Sequence, residues 1–368
     1  MSALLAPLSA VYSAAVAVRA ALYRHQWLAA HPAGLPVVSI GNLVAGGTGK
    51  TPTAAHVARI LLEAGASPVI VSRGYGGRRR EDPLVVCEGN GMLPRVTSAQ
   101  AGDEPAMLAA MLPNVPSVVA RRRLEGARLA ASRLGARCII LDDGFQHLAL
   151  RRDLDIVLLD STRPFDNGRL LPAGMLRESP GALSRAGAVL LAGPAEPGAP
   201  DAITRFLRPG VPVFRVTFVP THLFDADMAA AHPPAWLAGK RIIAFAGIAN
   251  PSRFAADLNR LGTKTIESRH FPDHHVYTPR EVAEIIRTAK REQVDAIVTT
   301  EKDLARLASG PLLRALKSAA LLALRIEVRI EPSDEAAFRS LVLAAANVAR
   351  SDAGEPARPL PVAGPVPR

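Results

Sequence analysis

The segment VVSIGNLVAGGTGKTPT, Val37–Thr53, constrains this chain more than any other. Val37–Ile40 reads as a short buried strand, a glycine-rich turn follows, and Thr51–Ala64 reads as a helix stopped by Gly65. A strand that feeds a glycine loop and then a helix is a ready-made anion site. The loop N–H groups converge, and the helix dipole lies behind them. Such a unit belongs in a parallel sheet covered by helices. The phosphate-loop pattern G-x-x-x-x-G-K-[ST] asks for glycine at position 44, where this chain has Val44. That position shapes the turn and makes no phosphate chemistry. The loop Ala45, Gly46, Gly47, Thr48, Gly49, Lys50 and Thr51 is therefore expected to hold nucleotide phosphates. Lys50 faces the outer ones, and the Thr51 hydroxyl is expected on Mg²⁺.

Further apolar runs repeat the theme: PVIVS, ARCIILDD, LDIVLLD and AGAVLLAG, each followed by a turn or a helical stretch. The expected architecture is α/β, a P-loop core built on a mostly parallel, doubly wound sheet. VPVFRVTFVP is strand-like and ends in prolines, which suits an interdomain connection. RIIAFAGI, PSRFAADLNRLG and DAIVTTEKD then open a smaller second α/β lobe. The divisions expected are an N-terminal helix over 1–30, a core over 31–218, a second lobe over 219–348 and a proline-rich disordered tail over 349–368.

The 368 residues suffice for two cores, and an apolar content of 49 % excludes a disordered chain. A net charge of +11 suits phosphate-rich partners or an anionic membrane, while 4 % aromatics argues against a stacking platform for single-stranded nucleic acid. Cys87 and Cys138, distant and flanked by apolar residues, form neither a disulfide framework nor a metal motif. Met1–Val18 carries no charge, and Arg19, Tyr23, Arg24 and Trp27 follow. The order is wrong for a signal peptide, and two readings stay open: a helix packed on the domain, or one dipping into a bilayer.

Several motifs bear chemistry. CIILDDGFQH places Asp142 and Asp143 at a strand tip, the arrangement that holds Mg²⁺ beside a phosphate loop. In AGDEPAMLA, Asp103 opens a helix. It reads as a cap by itself, but it is one of few carboxylates available to accept a hydroxyl proton. In HFPDHHVYT, Asp273, His274 and His275 suit a surface loop, a metal site or a catalytic carboxylate–imidazole pairing. SRGYGGRRR, ARRRLEG and LPAGMLRE are arginine-rich and together would wall a phosphate site. Glu178, beside Arg177, is a further candidate ligand for Mg²⁺ or ATP.

Taken in order, IGNLVAGGTGKTP, SRGYGG, GDEPAMLA, LDDGFQH, NGRLLPAGMLRE, FAGIANPSRF, FPDHH and TTEKD resemble the tetraacyldisaccharide 4'-kinase family, the lipid A kinases of Gram-negative bacteria. That family also lacks the first loop glycine. The resemblance implies a membrane-associated N-terminal helix, a P-loop core and a smaller second lobe. It implies transfer of the γ-phosphate of ATP to the 4'-hydroxyl of an acylated glucosamine disaccharide 1-phosphate, at the cytoplasmic face of the inner membrane. It puts the catalytic pair on Asp103 and His274, with Lys50 assisting. The metal set falls on Thr51, Asp142, Asp143 and Glu178, and Arg177 falls on ATP. Substrate contacts fall on Arg73, Tyr75, Gln146, His147 and the run Arg121–Arg123, Arg121 and Arg122 foremost. The implied partners are the lipid substrate and a membrane surface, with no nucleic acid. The competing reading is a membrane-associated P-loop ATPase switch of the partitioning type, in which GDEP and DHH have no role.

Overall fold

A computed structural model describes residues 5–194, 198–307 and 310–348. The proline-rich tail expected over 349–368 lies outside the described residues. Thirteen strands form one sheet: β1 (Val37–Asn42), β2 (Pro68–Ser72), β3 (Leu84–Cys87), β4 (Ser117–Val119), β5 (Cys138–Asp142), β6 (Leu154–Asp160), β7 (Ala188–Ala192), β8 (Val213–Phe224), β9 (Ala230–His232), β10 (Arg241–Ala246), β11 (Lys264–His270), β12 (Ala296–Thr300) and β13 (Leu321–Ile330). Their order is β11-β10-β12-β13-β8-β7-β6-β1-β5-β2-β4-β3, and β9 pairs with β8 off that path. Pairing is parallel except at β13–β8, β3–β4 and β8–β9.

The loop-bearing strand β1 is central, between β5 and β6, and all six of its residues are buried. A strand buried on both faces needs a nearly continuous apolar run, which Val37, Val38 and Ile40 supply around the small, buried Ser39. Helix Lys50–Glu63 leaves its C-terminal end and packs Ala54, Val57, Ala58 and Leu61 into the largest core cluster.

The strand-like stretch expected between the two lobes is a full strand. β8 runs for 12 residues through position 218, pairing in parallel with β7 and antiparallel with β13. Its alternation of buried and open positions starting at Phe214 is a strand's signature. Pro220 sits opposite Ile326, at the point where the register shifts, so its missing N–H costs the ladder little. The sheet is therefore continuous from one half of the chain to the other. Helix Pro332–Ala345 returns to the first half, where Phe338 is fully buried, 5.4 Å edge-on to Phe214 and 6.1 Å from the His56 ring.

Helix Ala6–Arg24 is long and apolar enough to cross a membrane, and none of its residues is buried. One flank is nonetheless tied to the protein: Ser9 donates to Leu170 O at 2.8 Å, Tyr12 to Arg177 O at 3.0 Å and Arg19 to Gln146 O at 3.1 Å. Leu8, Val11 and Val18 are 58–70 % exposed, Val11 and Val18 on the side away from these contacts.

Candidate active site

A cleft of 1050 Å³ opens at the C-terminal ends of β1, β2 and β5, where open α/β sheets place their ligands. Its floor is the loop Ala45–Thr51. The loop is braced from inside by buried Asn42, whose amide donates to Val44 O at 2.5 Å and Thr48 Oγ1 at 2.8 Å. Val44 has a positive task here. It forms an extended bridge with Leu176 and packs against the cluster containing Leu43, Phe145 and Leu176. Arg177 N donates to Leu43 O at 2.7 Å and Ala45 N to Met175 O at 2.8 Å, so this segment is pinned as a short strand rather than freed as a glycine turn.

Asp142 ends β5 beside the loop. It is 5 % exposed, and its Oδ1 is buried with no hydrogen-bond partner. Burial, reinforced by the neighbouring Asp143 carboxylate, pushes its carboxyl up to about 7. Asp143 is held at φ 54 and accepts two hydrogen bonds from Arg177 Nη1, at 2.8 and 2.9 Å; Lys50 Nζ lies 3.7 Å away. Burial opposes ionisation of Asp143, but Lys50 and Arg177 outweigh it and hold its carboxyl below the usual range. Burial also lowers the Lys50 ammonium, against the pull of Asp143. An orphaned buried carboxylate oxygen, a second carboxylate and the Thr51 hydroxyl line one cavity, a set that fits a hard, oxygen-seeking dication.

One wall is basic. Arg19, Arg73, Arg121 and Arg123 line the cleft with Tyr75, Gln146 and His147. Arg123 is 5 % exposed, its Nε is buried without a partner, and Nη1 reaches only Arg121 O, at 3.2 Å. Burial and then the Arg73 charge lower its guanidinium to about 10. His147 is pushed down to about 4, first by burial and then by Arg123 and Arg152, so it is neutral at physiological pH. Among the described residues no carboxylate is within ion-pair distance of Arg123, and a buried cation so placed is costly.

The far wall comes from the second half of the chain. His274, at φ 61, places Nδ1 2.8 Å from Asp103 Oδ2 and lines the cleft. Asp103 lies just behind that lining, 14 % exposed, in the first turn of helix Asp103–Met111. His275 turns elsewhere, to Glu281 at 3.1 Å, with its ring stacked on Phe271. Among the described residues no three His, Cys, Asp or Glu side chains form a metal cluster, so the D-H-H run itself gathers no metal set.

Two expected residues stand apart. Glu178 is buried away from the cleft, with both oxygens 2.9 Å from Arg185 Nη2, and lines a separate cavity beneath the N-terminal helix. Arg122 is 82 % exposed and pairs with Glu125 at 3.2 Å. Both differences have one cause: neighbours in sequence point opposite ways, so Arg177 and Arg123 enter the cleft while Glu178 and Arg122 leave it. Neither Lys302, within TTEKD, nor Arg306 was singled out from the sequence; both lie on helix Glu301–Leu307, which begins inside that motif. Lys302 reaches Glu104 at 2.7 Å and Asp273 at 3.1 Å; Arg306 reaches Asp103 at 2.6 Å. Their four-residue spacing on one helix face was the available signal.

Comparison with known proteins adds an independent line. The family model described as Tetraacyldisaccharide-1-P 4'-kinase matches residues 1–347. The "Tetraacyldisaccharide 4'-kinase" of Anaeromyxobacter dehalogenans is 44 % identical over 327 residues, covering 87 % of this chain and 85 % of that protein. That of Anaeromyxobacter sp. strain Fw109-5 is 41 % identical, with 95 % of each chain covered. A crystal structure of LpxK from Aquifex aeolicus in complex with ATP superposes with a TM-score of 0.73 at 32 % identity, covering 94 % of this chain and 99 % of that one. The chain belongs to the tetraacyldisaccharide 4'-kinase family.

Proposed function

We propose that the cleft transfers the γ-phosphate of ATP to the 4'-hydroxyl of a tetraacyl glucosamine disaccharide 1-phosphate, the lipid A step of its family. The contact between Asp103 and His274 carries this reading, because it joins a carboxylate from one half of the chain to an imidazole from the other at the cleft's edge. An ATPase switch needs only an activated water and has no use for an acid–base pair assembled from two halves of the chain.

The loop Ala45–Thr51 binds the phosphates through its N–H groups, and Lys50 and Arg177 neutralise charge that grows in the transition state. Thr51, Asp142 and Asp143 would hold Mg²⁺, which would supply positive charge to offset that of the phosphates. Asp103, oriented by His274, takes the proton of the acceptor hydroxyl. The hydroxyl oxygen bonds to phosphorus as the bond to the bridging oxygen breaks, and ADP leaves. An alcohol is a far weaker acid than a carboxylic acid, so proton transfer accompanies bond formation. Arg123, buried and uncompensated, binds the acceptor's own phosphate, with Arg73 and Arg121 beside it.

A second assignment has one observation in its favour: His274, not Asp103, forms the cleft wall. In it the imidazole accepts the proton and Asp103 orients the ring. The two variants separate these assignments. If Asp103 is the base, Asp103→Ala leaves only a small residual turnover and His274→Ala retains more of it. If His274 is the base, that order reverses.

The N-terminal helix brings the cleft to its substrate. Tyr12 and Arg19 line the cleft and bond to its edge, while Val11 and Val18 face away. A helix hydrogen-bonded to the protein along one flank lies in the interface with its apolar side in the lipid, rather than crossing it. ATP supply then places the cleft at the cytoplasmic face of the inner membrane. Radiolabelled ATP supplied with acceptor lipid tests the function: label on the lipid supports it, and acceptor-independent free phosphate refutes it.

A further inference from the structure

Arg306 is the most enclosed cation at the junction of the two halves, and the mechanism above leaves it idle. Its side chain is 7 % exposed. Nε lies 2.6 Å from Asp103 Oδ2, and Nη1 lies 2.5 Å from Gly247 O and 2.8 Å from Asp303 Oδ1. Nη2 is 3.6 Å from Asp273 Oδ1 and is buried without a hydrogen bond. Asp303, on which the guanidinium leans, is fully buried and itself fixed. It accepts hydrogen bonds from Tyr277 Oη at 2.7 Å, Thr300 Oγ1 at 2.6 Å and Gly247 N at 3.1 Å. A rigid block of the second half thus presents one N–H to a carboxylate of the first.

That N–H and the imidazole meet the same oxygen. Asp103 Oδ2 contacts both Arg306 Nε and His274 Nδ1, while no hydrogen bond from the described residues reaches Oδ1. A carboxylate is symmetric by itself and rotates freely about its last bond. Two donors on one oxygen remove that symmetry and leave the other oxygen for a new partner. The two donors also differ in kind. The imidazole donates only in one tautomer or when protonated, whereas a guanidinium donates at every accessible pH.

We propose that Arg306 is a positioning residue for phosphoryl transfer, locking Asp103 so that Oδ1 is the oxygen that receives the acceptor's proton. This rests on the reading of Asp103 as a participant in proton transfer. A lysine at 306 keeps the charge but cannot span Asp103, Gly247 O and Asp303 at once, because an ammonium lacks the planar fork.

The test compares full-length wild type with Arg306→Lys, Arg306→Gln, Asp103→Ala and the Asp103→Ala/Arg306→Gln double variant, using Mg-ATP and acylated disaccharide 1-phosphate. Arg306→Gln is expected to lower kcat about 30- to 100-fold with both KM values within about threefold, as for a loss of orientation alone. Arg306→Lys retains the interlobe charge and the fold and loses about tenfold in kcat. In the Asp103→Ala background, Arg306→Gln adds no further loss beyond about twofold, since its partner is gone. Full kcat in folded Arg306→Lys overturns the proposal, as does a loss that multiplies in the double variant. Asp103→Ala strongly impaired with Arg306→Gln at wild-type kcat overturns the role of Arg306 and spares that of Asp103. Wild-type turnover in Asp103→Ala overturns both.

Discussion

Gly102 tests how tightly the site is tied to the backbone. It precedes Asp103 and adopts φ 92, ψ 160, a region essentially closed to residues with a side chain. A Cβ added there would lie 2.5 Å from Tyr75 O and 3.1 Å from Gly74 C, both backbone atoms that cannot swing away. Backbone strain contributes about 1–3 kcal/mol. Forced displacement of the Gly74–Tyr75 turn adds about 1–3 kcal/mol. Together they come to about 2–6 kcal/mol, and at about 1–2 °C per kcal/mol for a chain of this size Gly102→Ala should melt about 2–12 °C below wild type. The first turn of helix Asp103–Met111 moves with it, and misplacing a reacting group by about 1 Å costs on the order of a hundredfold in kcat. Gly65→Ala is the control. Gly65 has φ +72 but nothing within 4 Å of the added Cβ, so it shows about 1 kcal/mol of strain and unaltered kcat. Differential scanning fluorimetry and steady-state kinetics on the two variants decide the matter. A Gly102→Ala enzyme indistinguishable from Gly65→Ala in kcat would refute the link between this turn and the proposed role of Asp103.

Other outcomes follow from the same structure. Asp142 has its carboxyl raised in the fold from 3.8 to about 7, chiefly by burial, so metal-free protein binds more protons folded than unfolded and loses stability as pH rises across that window. Asp142→Asn removes this penalty. Its melting temperature without metal should exceed wild type's by more at pH 8 than at pH 5, and a gap that shrinks with pH counts against it. Arg123→Ala should raise KM for the lipid acceptor about tenfold or more with the ATP KM unchanged, and a rise in the ATP KM instead would place that arginine at the nucleotide. Deleting residues up to Trp27 should move the protein to the soluble fraction and lower kcat on acceptor, because Tyr12 and Arg19 leave the cleft edge. A truncated protein that still pellets with vesicles would assign membrane binding to another surface. Phe338→Ala, at a fully buried ring joining the C-terminal helix to the first half, should cost about 3–5 kcal/mol.

Local features of this chain were legible because local rules govern them. VVSI, CIILDD and LDIVLLD are apolar runs of strand length, and GGTGKT can only be a turn into a helix. β8 was legible as strand-like, but its pairing was not: whether Pro220 breaks a ladder depends on what lies opposite, and the register shift at Ile326 is not written in the local sequence. The pairing of Asp103 with His274 spans 171 residues and was reached through the resemblance, not through spacing. Arg306, Arg123 and Glu178 show the remaining limit. Sequence reports which charges exist, whereas side-chain direction and burial decide which of them meet.

Label transfer measures the central claim most directly. Purified protein is given γ-labelled Mg-ATP and tetraacyl disaccharide 1-phosphate in mixed micelles, and lipid and aqueous phases are counted separately. The account predicts label in the lipid as a new 4'-phosphate monoester, with little free phosphate, and loss of that product in Asp103→Ala while ATP still binds. Free phosphate released at one rate with or without acceptor, and unaffected by Asp103→Ala, would contradict it.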